Sequence, residues 1–202
     1  MRGKFITFEG VDGAGKSTHV EWFANELRGS GHAVLVTREP GGSQLAEKLR
    51  DLVLKESMDA VTETLFMFTA RDDHLKKRIR PALAAGTWVV CDRFTDATLA
   101  YQGGGKGVDR SLISALAAIV HPDVQPDCTL VFDCPYEISR ERMEKSGRAL
   151  DRFEREGQAF FERVRSAYLA TARNEPGRVR VVDSTHPLDV IRAELRTVLA
   201  GL

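Results

Sequence analysis

Apolar residues along the chain fall into two alternating rhythms. Short runs rich in β-branched and aromatic residues recur at Phe5-Ile6-Thr7-Phe8, Ala33 to Thr37, Thr87 to Cys91, Thr129 to Phe132 and Val179 to Val182. Between them, apolar positions step by three and four, the spacing of one helical face. Val20, Phe23, Ala24 and Leu27 mark a helix from about Lys16, which Gly29 and Gly31 end. Leu45, Leu49, Leu52 and Val53 mark the next. Val61, Leu65, Phe68, Leu75 and Ile79 predict a long helix that Pro81 interrupts. Leu112 to Val120, Glu137 to Glu144, a stretch reaching Ala172, and Leu188 to Leu199 supply the remaining helices. Short apolar strands separated by helices predict an α/β fold, a five-stranded parallel sheet covered by helices on both faces. No repeat, low-complexity tract or long linker divides the chain, so 1–202 reads as a single domain. Gln102-Gly103-Gly104-Gly105-Lys106-Gly107 reads as a loop within it.

Charge narrows the partners. Lys plus Arg is 29 and Asp plus Glu is 29, so no bulk charge draws the chain to nucleic acid or an anionic membrane. Any anion site must be local. No apolar stretch approaches the roughly 20 residues of a membrane span, and Met1-Arg2-Gly3-Lys4 does not begin a secretory leader. Both point to the cytoplasm. Cys91, Cys128 and Cys134 form no CxxC pair; the even spacing of Cys128 and Cys134 puts both on one side of a strand, as buried thiols. The histidines show no metal-ligand spacing.

The sharpest local signal is Gly10-Val11-Asp12-Gly13-Ala14-Gly15-Lys16-Ser17, which matches G-x-x-x-x-G-K-[ST] directly after a strand and directly before a helix. Glycines let the backbone curl so that successive N–H groups face phosphate oxygens, and the helix N-terminus adds the positive end of its dipole. Lys16 can reach the β and γ phosphates, and the Ser17 hydroxyl is a natural Mg²⁺ ligand. The motif implies nucleotide binding but does not say what receives the phosphate.

Other stretches bear on the acceptor. Arg38-Glu39-Pro40-Gly41-Gly42 closes the second strand with a basic residue and a rigid turn. Phe68 and Arg71 are three apart and share a helix face, an arrangement that suits a planar base, although Phe68 taken alone also fits the core. Asp92-Arg93 ends a strand, where open parallel sheets bind ligands. The acid can hold Mg²⁺ directly or through water, and the arginine can clamp a phosphate. Arg140, Arg142, Arg148 and Arg152 crowd a polar segment with Glu141, Glu144, Asp151 and Glu154. Arg140 fits a solvated helix with internal ion pairs. Arg148, beside Gly147, fits a mobile flap that closes over transferring phosphate.

Four blocks in order resemble the thymidylate kinase family almost from end to end. They are Phe8-Glu9-Gly10 through Lys16-Ser17-Thr18; Thr37 to Gly42 with Ala46 to Arg50; Asp92-Arg93-Phe94 with Ala100 to Gly104; and Asp151-Arg152-Phe153-Glu154. The resemblance implies a nucleotide-kinase fold of strand order 2-3-1-4-5, a homodimer, and Mg²⁺-dependent transfer of the ATP γ-phosphate to dTMP. It assigns Gly10, Val11, Asp12, Gly13, Ala14, Gly15, Lys16, Ser17 and Thr18 to ATP, with Arg142 against adenine and Ser17 and Asp92 toward the metal. On the dTMP side it implies Glu39 and Arg50, Arg93 on the phosphate, Phe68 stacked on thymine and Arg71 hydrogen-bonded to it. Thr98 and Gln102 line the thymine pocket, Tyr101 fills the space a ribose 2′-OH needs, and Asp12 meets the sugar 3′-OH. Several relatives place the stacking aromatic four residues before the arginine, where this chain has Met67. Some members carry a catalytic arginine in the P-loop, where this chain has Gly13; here Arg148, in a lid at about 140–153, takes that role beside Lys16 and Arg93. Two other readings share the P-loop: a kinase for a different acceptor, and a nucleotide switch. The base-sized set Phe68, Arg71 and Tyr101 argues against the switch.

Overall fold

A computed structural model describes residues 2–147 and 151–202. β1 (Phe5–Gly10) leads through the P-loop into α1 (Lys16–Gly29), followed by β2 (Val34–Arg38), α2 (Gln44–Lys55) and α3 (Ala60–His74). A π-helical turn, Leu75–Ile79, joins α3 to α4 (Arg80–Ala84). Next come β3 (Trp88–Asp92), α5 (Thr95–Thr98), a π-helical segment Leu99–Gly105 and α6 (Arg110–Val120). The chain closes with β4 (Cys128–Asp133), α7 (Tyr136–Lys145), α8 (Gln158–Asn174), β5 (Val179–Asp183) and α9 (Leu188–Ala200).

The sheet runs β2-β3-β1-β4-β5, with every neighbouring pair parallel. β1 lies at its centre and is buried along its whole length, which is why it reads as a continuous apolar run and not as an alternation. Its even residues, Ile6 and Phe8, join Val90, Leu130, Phe132 and Phe23 of α1 on one face of the sheet. Phe5 joins Val89, Cys91, Leu75, Ile79 and Phe94 on the other. The parallel register brings the ends of β1, β3 and β4 to one edge, with Phe8 beside Asp92 and Gly10 beside Phe132. That edge carries the site.

Three sequence-based expectations change. The stripe that predicts α3 faces outward at Val61 and Leu65, which are 46% exposed. Glu63, Thr64, Arg71 and His74 are buried instead, because α3 turns a hydrogen-bonded polar face toward the site. Pro81 does not end the helical run. It sits in the first turn of α4, where a missing N–H is tolerated. The segment expected as a loop at 102–107 is π-helical through Gly105. A Cβ on Gly104 would stand 2.7 Å from that of Ala167, and one on Gly105 2.4 Å from the Phe160 ring. Glycine there lets the segment lie directly on α8. The three cysteines are unpaired and buried, and burial pushes the Cys128 thiol up to about 11. Cys128 opens β4 and Cys134 lies one residue past its end, both in the same core.

Candidate active site

The P-loop wraps back on itself through glycines at positive φ, Gly13 at 75° and Gly15 at 87°. A side chain on Gly13 would place its Cβ 2.5 Å from the Ser139 carbonyl of α7, and the Ser139 hydroxyl donates to the Asp12 carbonyl at 2.6 Å. The loop is therefore packed against α7 with no room for a larger residue. Lys16 is buried and donates through Nζ to the carbonyls of Gly10 (3.0 Å) and Val11 (2.9 Å). Burial holds its pKa below the usual lysine range; Arg93 adds to this, while Asp92, Asp12 and Glu9 oppose it.

A cavity of about 700 Å³ opens over this loop, lined by residues from Asp12 to His19, by Asp92, Arg93 and Arg142, and by Ser184 and His186 beyond. Gly10 and Val11 are not among its walls; the Gly10 carbonyl receives Lys16 and Arg93, and the Val11 side chain is in the core. Asp92 Oδ1 is buried without a hydrogen-bond partner among the described residues. Arg142 bridges the carbonyls of Ala14 (3.3 Å) and Ser184 (2.7 Å). Arg140 pairs with Glu144 along α7, as its solvated reading expects.

Arg93 follows β3 at φ 72°, a left-handed conformation that costs a non-glycine residue about 1–3 kcal/mol. The twist aims its guanidinium across the sheet edge. Nη2 donates to Asp12 Oδ1 (2.5 Å) and the Tyr101 hydroxyl (3.1 Å), and Nη1 to the Gly10 carbonyl (3.0 Å) and the Tyr168 hydroxyl (3.2 Å). Tyr101 in turn donates to Asp12 Oδ2 at 2.7 Å. Burial works against the Asp12 charge, but Arg93 and Lys16 hold its carboxyl below the usual range. Beneath them Glu9 is fully buried, accepting from the Phe94 N–H (2.7 Å) and the Tyr168 hydroxyl (2.8 Å). Burial, with Asp96 nearby, pushes its carboxyl up to about 8.

A second, smaller cavity adjoins the first and shares Asp12, Glu39, Arg50, Arg93 and Asp151 with it. Met67, Arg71, Phe94, Thr98, Tyr101 and Gln102 also line it. Arg71 is 2% exposed and held from two sides: Nε donates to Glu39 Oε2 (2.6 Å), and Nη2 to the Phe94 carbonyl and Thr98 Oγ1 (3.1 Å each). Its Nη1 is buried with no partner among the described residues. Glu39 also meets His74 Nδ1 at 3.1 Å; burial opposes its charge, yet Arg71 and His74 hold its carboxyl low. Arg50 donates to the Pro40 carbonyl at 3.0 Å.

Phe68 is not among the residues lining either cavity. It packs with Val108 and Ile113, and its ring supports the Arg71 guanidinium from 4.8 Å, whereas Met67 faces the smaller cavity. From the lid, Arg152 reaches the Val53 carbonyl and the Glu63 carboxylate, bracing the segment on α2 and α3. Arg148 lies outside the described residues.

Four contributors carry no sequence signal of their own. Tyr168 sits on the apolar face of α8, and Glu9 lies inside a strand; Glu63 and Lys106 are single charges in segments read for other features. Only their burial against a cation or a carboxylate marks them.

A family model described as thymidylate kinase matches residues 8–195. The chain belongs to the thymidylate kinase family. It is 58% identical over 194 residues to the thymidylate kinase of Bordetella pertussis, covering 96% of this chain and 93% of that one. It is 54% identical to that of Methylobacillus flagellatus, covering 98% of each. A crystal structure of thymidylate kinase from Ehrlichia chaffeensis superposes with a TM-score of 0.79 at 36% identity, covering 99% of both chains. The parallel sheet and P-loop of this thymidylate kinase family member are thus those expected of the fold. Among the described residues, no helix is long and apolar enough to cross a membrane.

Proposed function

We propose that the chain transfers the γ-phosphoryl group of ATP to dTMP, giving dTDP and ADP, with Mg²⁺. The observation that carries the acceptor is Arg71 Nη1, a buried donor without a partner among the described residues, beside a cavity next to the P-loop. Leaving such a group unpaired costs about 1–3 kcal/mol, and the O4 carbonyl of thymine satisfies it. Glu39 fixes Arg71 from behind, so its role is to hold the reader and not to touch the base.

The reaction asks for positioning and charge neutralisation, not a protein base, because the attacking oxygen belongs to a phosphate already ionised. Lys16 and the loop N–H groups hold the donor phosphates, with Ser17 and Thr18 at the head of α1 and Arg142 beside adenine. Arg93 turns from Asp12 toward the dTMP phosphate, which frees Asp12 for the sugar 3′-OH, while Tyr101 closes the space of a 2′-OH. Asp92 Oδ1, unpartnered among the described residues and in the same cavity as Ser17, fits a hard cation. Mg²⁺ bound there neutralises phosphate charge. The lid excludes water, which would otherwise accept the phosphoryl group. The packing of Gly13 on α7 favours a catalytic arginine supplied by the lid, and Arg148 is that residue in our reading.

Homodimerisation belongs to the same reading. Leu45 and Leu52 on α2, Val61 and Leu65 on α3 and Ile119 on α6 are exposed large apolar side chains on mutually packed helices, the kind of surface a second copy covers. A cytoplasmic location accompanies it. ADP production measured with dTMP, dUMP, dCMP, dGMP and shikimate tests the acceptor. A clear preference for dTMP is expected; none would overturn the proposal.

A further inference from the structure

We propose that Glu63 is a positioning residue for acceptor choice: it fixes the sense of the Gln102 side-chain amide, so that a carbonyl oxygen and not an amino group faces the base. The inference rests on the reading of the smaller cavity as the acceptor's base site.

Glu63 is fully buried on α3. Its Oε1 takes the Gln102 Nε2 at 2.7 Å, and its Oε2 takes Lys106 Nζ at 2.8 Å and the Arg152 guanidinium. A carboxylate only accepts, whereas an amide can present either end. Beside Glu63, Gln102 has one favourable orientation, with Nε2 inward. The other end, Oε1, has no hydrogen bond among the described residues, and Gln102 lines the cavity. Reversing the amide would set two acceptors face to face in a buried site, a costly arrangement.

The consequence is chemical. Thr98 and Gln102 are four apart on one helical run, Thr98 Oγ1 takes Arg71 Nη2 at 3.1 Å, and all three residues line the smaller cavity. The cavity offers a donor, Arg71 Nη1, and an acceptor, Gln102 Oε1. A 4-oxopyrimidine presents the complement, an acceptor at O4 and a donor at N3–H. A 4-aminopyrimidine presents the reverse at both atoms. Arg71 cannot change sense, since a guanidinium only donates; Gln102 could, and Glu63 prevents it.

The same carboxylate holds the lid through Arg152, so a merely structural role has to be separated from this one. The probes are dTMP and 5-methyl-dCMP, which differ only at position 4 and in the N3 proton. Glu63→Gln keeps the size of the side chain but lets residue 63 donate or accept, releasing the Gln102 amide. Its ratio of kcat/KM for dTMP over 5-methyl-dCMP should fall by about tenfold or more, the worth of one misplaced buried hydrogen bond. The change should lie chiefly in KM. Equal losses for both nucleotides, with the ratio unchanged, would overturn the proposal. Gln102→Ala distinguishes the levels of failure. If it lowers the ratio and Glu63→Gln does not, only the role of Glu63 is wrong. If Gln102→Ala also leaves the ratio unchanged, the base-site reading fails with it. A measurement on the unaltered protein guards against a variant that does not fold. With ¹⁵N-labelled glutamine side chains, the Gln102 Nε2 protons should exchange slowly with solvent in the dTMP complex, and fast exchange there would equally overturn it.

Discussion

Replacing Glu9 with glutamine should remove a pH dependence of stability that the fold imposes on this carboxyl. Glu9 lies in the central strand with no exposed surface, and its pKa is pushed from an ordinary 4.5 up to about 8, first by burial and then by Asp96. In the unfolded chain it titrates as a solvated glutamate. Between about pH 4.5 and 8 the folded protein keeps a proton that the unfolded chain has released, so stability falls as pH rises through that window. The slope for one such group is about 1.4 kcal/mol per pH unit, and 3.5 units of separation give a total of at most about 5 kcal/mol. Glutamine imitates the protonated form: its carbonyl can accept from the Phe94 N–H and its amide can donate to the Tyr168 oxygen. Urea unfolding of both proteins at fixed concentration from about pH 5 to 9 isolates the effect, because other titrating groups cancel in the difference. The variant should match the wild type near pH 5 and exceed it by several kcal/mol near pH 9. A difference that stays flat, or that favours wild type as pH rises, refutes the reasoning. The neutral carboxyl also bears on the site, since an ionised Glu9 would draw on the Arg93 charge meant for phosphate.

Lys16→Ala should abolish turnover and leave the fold intact, since the Gly10 carbonyl keeps Arg93 Nη1 and the Val11 carbonyl keeps the Ala14 N–H; a folded variant with near-normal kcat contradicts the P-loop assignment. Arg93→Ala should weaken dTMP binding by about 2–5 kcal/mol with ATP affinity barely changed, and calorimetric titrations in which only ATP suffers would put Arg93 on the wrong substrate. Tyr101→Ala should narrow the preference for dTMP over ribothymidine monophosphate, read as a ratio of kcat/KM; an unchanged ratio places sugar discrimination elsewhere. Arg148→Ala should lower kcat by about 10³ or more with dTMP affinity little altered, and Arg152→Ala, whose contacts are to Val53 and Glu63, should be milder. The reverse order in steady-state kinetics assigns the finger to the wrong arginine.

The middle of the sheet was legible because β1 and β4 are buried on both faces and read as continuous apolar runs. The P-loop was legible because its chemistry is local, eight consecutive residues whose backbone makes the cradle. The acceptor side was harder to read for a physical reason. Arg71 is useful only because Glu39, Phe94 and Thr98, from three other parts of the chain, take up its remaining donors. Helical spacing relates Phe68 to Arg71 correctly but cannot tell support from contact, and the ring lies under the guanidinium and not in the cavity. The apolar stripe of α3 misleads in the same way: a hydrogen-bonded polar face outcompetes Val61 and Leu65 for the interior.

The two halves of the site differ in what binding must undo. The proposed base reader is preorganised, with Arg71 fixed by its other donors and Nη1 left open among the described residues. The phosphate cations are not open. Lys16 is tied to two carbonyls, and Arg93 to Asp12, Gly10 and two tyrosines. Holding a lysine and an arginine close together in a buried site requires such internal partners until an anion arrives. A phosphate therefore replaces contacts already present, and its net gain is smaller than its charge suggests. In the proposed complex thymine meets a donor without another partner among the described residues. Under the proposed assignment the base would supply selectivity, while the phosphate would release Asp12 for the sugar and draw Arg93 into line with the transferring group.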